Sequence, residues 1–161
     1  MRRRDLFILF LGVSVNVFGD QALAAGKLYY GSRAGMQVSV VGVENLGTER
    51  AVIHIEHRPE DARKFCIEYS NDRSKKCVEK TLEDTHLNNK LTGNCKTGEF
   101  RSLWGDMVTF AGERRCRGGA ISTKYRIMKD GSELDGSSAS GYGVYLGQFK
   151  ALCPNIGIVD D

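Results

Sequence analysis

The stretch MQVSVVGVENLGTERAVIHIEHRPED, residues 36–61, decides the architecture, because its residue period changes within it. Met36, Val38 and Val40 alternate with Gln37 and Ser39, the period of two of a half-buried strand. Glu44-Asn45-Leu46-Gly47 supplies turn residues. Ala51, Ile53 and Ile55 then alternate with Val52, His54 and Glu56, so an antiparallel meander is expected. At Pro59 the period changes. Proline suits the first position of a helix, and Glu60 and Asp61 complement its positive end.

C-terminal to this stretch, Ala62, Phe65, Cys66 and Tyr69 fall at i, i+3, i+4 and i+7, one apolar helix stripe. Asn71-Asp72 interrupts it, and Ser74 is placed to cap a second helix through about His86, with Val78 and Leu82 inward. Cys66 and Cys77 lie on either side of the break. A continuous helix would hold them about 16 Å apart, whereas a bent pair can join them. From Thr97 the strand pattern returns: Phe100, Ser102 and Trp104, then Met107 to Ala111, then Ile121, Thr123, Tyr125 and Ile127 alternating with polar residues. Asp130-Gly131 is a hairpin signal. A Gly- and Ser-rich stretch, 135–143, leads to a short helix with Tyr145, Phe149 and Leu152 inward, which Pro154 stops. On the N-terminal side, residues 27–30 read as a further strand. Strands, a central helical pair, strands and a short C-terminal helix, without βαβ alternation, predict an α+β fold with an antiparallel sheet.

The first 24 of the 161 residues read as an export signal. Arg2, Arg3 and Arg4 precede an apolar run from Leu6 to Phe18, and Ala22-Leu23-Ala24 supplies small residues for cleavage before Ala25. A spanning helix needs roughly 20 apolar residues, more than this run provides. Arg3-Arg4 matches the core of a twin-arginine signal, but the short basic region and the strongly apolar Leu6–Leu11 favour the general secretory route. The expectation is a single domain over 25–154, a flexible tail over 155–161, no membrane span after cleavage, and a periplasmic or secreted location.

Without residues 1–24, totals of 23 basic and 20 acidic side chains lose three and two, which leaves 20 and 18. That balance argues against a nucleic-acid partner. The five cysteines are never closer than eleven residues, which excludes metal-site spacing. Export implies oxidation. Cys66, Cys77, Cys95 and Cys153 are the disulfide candidates, in connectivity left open, and Cys116 is the candidate free thiol.

Candidate chemistry is sparse. His54 and His57 are three apart at a strand end, where they face opposite ways and cannot share a metal. Gly136-Ser-Ser-Ala-Ser-Gly-Tyr-Gly143 lacks the glycine of a nucleophile elbow and the third glycine of a dinucleotide loop. Its hydroxyls and backbone still suit a polar partner, with Ser137, Ser138, Ser140 and Tyr142 as contacts. Placing Gly136 at the invariant glycine of a calcium loop puts Gly131 where a carboxylate is required. Glu133 and Asp135 share one strand face and, with His54, His57 or His86, are the acid–base set of an alternative reading as a small secreted hydrolase. Arg114, Arg115 and Arg117 surround Cys116 and suit an acidic surface. Arg73, Lys75 and Lys76 form a second basic site, and Arg101 adjoins Trp104. The residues therefore predict an exported binding, inhibitory or accessory protein without metal or cofactor, whose partner is a protein or an anionic polymer.

Overall fold

The computed structural model describes residues 26–115 and 123–158. The expected signal peptide, Cys116 and Arg117 lie outside the described residues. Among those described, eight strands form one sheet: β1 (Lys27–Tyr29), β2 (Gln37–Glu44), β3 (Ala51–Glu56), β4 (Lys90–Gly93), β5 (Glu99–Arg101), β6 (Met107–Glu113), β7 (Tyr125–Lys129) and β8 (Ser132–Glu133). Each is antiparallel to the next and they pair in chain order. Helices α1 (Pro59–Glu68) and α2 (Lys75–Asp84) are inserted between β3 and β4, and α3 (Tyr142–Leu152) follows β8. The expected α+β architecture is what forms.

Strand alternation places Leu28, Val38, Ile53, Leu91, Phe100, Val108 and Ile127 on one face, all buried. That face is covered by α3, which contacts β1, β3, β4, β6 and β7, so the sheet curls around a single helix. Tyr145, Phe149 and Leu152 point into the core as their spacing predicts. The Phe149 ring stacks on Phe110 at 4.6 Å and lies 5.6 Å from Phe100. Buried Gln148 ties the helix to both halves of the sheet: its Nε2 donates to the Tyr29 carbonyl (2.9 Å) and its Oε1 accepts from the Leu103 amide (3.3 Å).

The helical pair is joined as the broken stripe implied. Asn71 takes a positive φ at the break, Ser74 Oγ accepts from the Cys77 amide, and Cys66–Cys77 bridges the two helices across a Cα separation of 6.1 Å. Its small core of Ala62, Cys66 and Val78 is separate from the main one. The second bridge, Cys95–Cys153, fastens the end of α3 to the β4–β5 turn. On the chain-entropy account, bridges spanning 58 and 11 residues stabilise by about 4 and about 3 kcal/mol.

On the opposite sheet face α1 meets β2, and here the structure adds something the alternation does not predict. Gln37 and Ser39 are buried under α1, not facing solvent. Both donate to Asp61, whose carboxylate is fully buried and also receives Lys27 Nζ at 2.5 Å and the Arg58 amide at 3.3 Å. Gly35, with φ +74°, lets the β1–β2 turn approach the α1 backbone, where a Cβ would meet the Phe65 nitrogen at 2.5 Å.

Three details depart from expectation. Strand β4 was not foreseen, because Leu91 is its single large apolar residue. The chain turns after Arg101 instead of extending to Trp104, with Gly105 at φ +91° and its amide bonded to the Ser102 carbonyl. At the end of the expected domain Pro154–Ile156 forms one 3-10 turn, and Ile158, within the 155–161 stretch expected to be flexible, is buried in the core. Asp130 and Gly131 both take positive φ and make the tight β7–β8 hairpin that the dipeptide predicted. Replacing Phe149 by Ala removes the ring on which the concave face closes. Urea unfolding is expected to show a loss of about 3–5 kcal/mol, with both disulfides intact.

Candidate functional site

A groove of about 460 Å³ opens between the β1–β2 turn and the connection from β8 to α3. One wall is Gly31 to Ala34 with Tyr29; the other is Gly136, Ser137 and Ser138 with the first turn of α3. The Gly- and Ser-rich stretch thus builds half of a concavity, and three of its four expected contacts, Ser137, Ser138 and Tyr142, line it. Ser140 instead holds the loop together. Its Oγ donates to the Ser137 carbonyl (2.7 Å) and accepts from the Tyr142 amide (3.3 Å). Asp135 Oδ1 accepts from the Ser137 amide (2.9 Å), a turn that fixes the other end. The Tyr142 hydroxyl donates to the Tyr125 carbonyl (3.1 Å), so it offers the groove a ring and not a polar tip.

Among the described residues that line the groove, Arg33 is the one with a charged side chain. Its guanidinium lies 4.7 Å from the centroid of the Tyr69 ring, which is itself stacked on Phe65. A planar cation seated on an aromatic face keeps its in-plane donors directed outward. The first-turn amides of α3, at Gly143 and Val144 on the same rim, have no acceptor within the helix. Arg33 was not singled out in the sequence, because its role depends on Tyr69, thirty-six residues away.

The other sequence candidates are not brought together. Arg114 is mostly buried and its guanidinium is taken up by Glu133 and the Thr123 carbonyl. Glu133 is also held by Arg126 Nε at 3.2 Å. Burial would raise the Glu133 carboxyl, but Arg126 and Arg114 outweigh it and keep it below its ordinary value. Arg115 borders a separate hollow beside this cluster. Glu133 and Asp135 therefore have different structural partners. His54 pairs with Glu44 at 2.7 Å, His57 packs edge-on against Tyr30 at 5.4 Å, and His86 is exposed after α2. Among the described residues no three metal-binding side chains cluster, and no helix is long and apolar enough to cross a membrane.

One polar cluster had no sequence signal. Tyr145 donates to Asp106 Oδ2 (2.9 Å) and accepts from Lys129 Nζ (3.1 Å), and Lys129 pairs with the same carboxylate at 3.1 Å. Burial raises the Tyr145 phenol, and the bond to Tyr145 raises Lys129, so neither group is primed as a base or nucleophile at neutral pH. The cluster locks α3 to β7 and the β5–β6 turn.

Comparison with protein-family models, curated proteins and solved structures finds no match to this chain. Its class therefore rests on its own geometry: a disulfide-bridged α+β domain with a largely apolar groove that carries the Arg33 cation.

His57 gives this region a pH dependence. Both ring nitrogens are shut off from water and have no hydrogen-bond partner among the described residues. Burial holds the imidazole below its ordinary 6.5, against the opposing pull of Asp61. The unfolded chain therefore takes up this proton more readily, and stability present above 6.5 is lost as the pH falls below it. Between about pH 8 and about pH 5 the urea midpoint of the native protein should fall more than that of His57→Leu. Equal falls would assign the dependence elsewhere.

Proposed function

We propose that the protein is an exported binding module, not an enzyme, and that its groove takes an acidic segment of another protein. The observation that carries this reading is the groove's composition among the described residues: aromatic and small apolar walls, a guanidinium fixed on a tyrosine ring, and no lining carboxylate. Pockets of this size and apolar character with a few oriented polar groups are typical ligand sites. A carboxylate meeting Arg33 and the first-turn amides of α3 would be held by charge-assisted bonds, while an adjoining apolar side chain occupies the space beside Ala34 and Val144. A regularly charged polyanion would call for a row of cations along the wall, and the described lining residues supply Arg33 alone. Two disulfides formed within the chain favour work in an oxidising compartment.

The hydrolase reading gains no support, since its carboxylates and histidines are dispersed among structural partners. The binding reading is tested on an immobilised array of short acidic, neutral and basic peptides, with inorganic polyphosphate as a competing probe. Acidic peptides should be retained. Arg33→Ala should weaken them about tenfold or more, the value of one charged hydrogen bond. Val144→Trp, which fills the groove, should weaken them as well. Retention unchanged in both variants, or binding to polyphosphate alone, would overturn the proposal.

A further inference from the structure

We propose that the Cys66–Cys77 disulfide is a thiol-exchange site, attacked at the Cys77 sulfur by an external thiolate. The two sulfurs differ in access. Cys66 is fully buried against Ala62 and Val78, whereas Cys77 is half-buried and borders an open cleft of about 530 Å³ between α1 and α2. They also share one donor: Thr81 Oγ1 lies 3.5 Å from Cys66 Sγ and 4.0 Å from Cys77 Sγ.

The exchange balances in two steps. The incoming thiolate bonds to Cys77 Sγ, the bond to Cys66 breaks, and Cys66 leaves as a thiolate that the Thr81 hydroxyl stabilises by donating to it. A second thiol then attacks the external sulfur of the mixed disulfide and releases Cys77 as a thiolate. Both electrons come from the two external thiols, which leave as their disulfide. Cys77 sits in the first turn of α2, where the helix end favours a negative sulfur. Each departing sulfur thus has its own stabilising group, as fast exchange requires.

The second bridge also has one half-buried sulfur, at Cys95, but it lacks the stabilising groups. Cys153 is buried in the main core, and the neighbour of Cys95 Sγ is the Leu152 carbonyl at 3.6 Å, an acceptor that disfavours a thiolate. Charge does not select the attacking thiol, since the α1–α2 cleft carries Lys76 and Lys80 together with Asp72 and Asp84. Reduction would free α1 from α2, whose shared core is small, while the sheet and α3 stay fastened by Cys95–Cys153.

The test uses the oxidised full chain carrying Cys116→Ser, so that the fifth thiol does not compete. It is exposed to glutathione, quenched with an alkylating agent at intervals, and mapped by mass spectrometry. Glutathione should appear on Cys77 with Cys66 alkylated, at a rate about tenfold or more above the opening of Cys95–Cys153. Thr81→Val should slow the reaction several-fold and Thr81→Ser restore it, with thermal unfolding showing that both variants remain folded. If Thr81→Val does not fold, the position of the adduct and the ratio of rates decide alone. Glutathione on Cys66, equal rates for the two bridges, or no reaction short of global unfolding would overturn the proposal.

Discussion

The concave face of an eight-stranded meander has to be covered, and a single eleven-residue helix covers it. Strands that pair only with their chain neighbours have no crossover connections to bury their apolar face, so the sheet must curl until α3 touches β1 and β7 alike. The helix meets this demand with large side chains: Tyr142, Tyr145, Phe149 and Leu152 are all buried. It also carries a buried amide. Gln148 satisfies backbone groups of Tyr29 and Leu103, which would otherwise be stranded beside it, and that bonding accounts for a polar residue among the aromatics.

A second anchor works on the opposite face. Burial alone would raise the Asp61 carboxyl, yet it lies below its ordinary value because Lys27, Ser39, Gln37 and the Arg58 amide all donate to it. Removing one donor from such a cluster leaves an under-compensated buried charge, which costs more than the intact cluster contributes. The arrangement is therefore specific more than strong. It permits one docking of α1 on β1 and β2, since any other placement would strand the carboxylate.

Much of this was legible in the chain, for physical reasons that can be assigned. Alternation in 36–43 and 51–56, the change of period at Pro59, the Ser74 cap and the Asp130-Gly131 turn are local signals, and local backbone preferences enforce them. The inward side of α3 followed from 3.6-residue spacing. What could not be read was non-local. Strand β4 exists because β3 and β5 flank it, not because Lys90–Gly93 favours extension. Gln37 and Ser39 occupy solvent positions by pattern and become buried only when α1 folds over them. Loop chemistry alone singles out Ser137, Ser138, Ser140 and Tyr142 as contacts, and three of them line the groove, but the opposite wall, with Arg33, has no motif, because its environment depends on Tyr69. Arg114 failed as an outward contact for the same reason, since Glu133 lies nineteen residues away in the chain and beside it in space.

The helical pair and the groove are mechanically joined. Tyr69, the ring beneath Arg33, is the C-terminal cap of α1, and Phe65, which stacks on it, adjoins Cys66. Gly35, in the turn that carries Arg33, lies directly against the α1 backbone at Phe65. The groove's cation is therefore seated on a part of the fold with its own small core, a pair of helices held by three buried residues, one disulfide and the Asp61 cluster. Segments with few buried contacts open before the rest of a domain does. Any event that loosens α1 displaces the seat of Arg33 while leaving the Ser137–Ser138 wall in place, because that wall is tied to α3 and the main core. The position of Arg33 in the groove and the integrity of the helical pair thus share one structural element, the Phe65–Tyr69 face of α1.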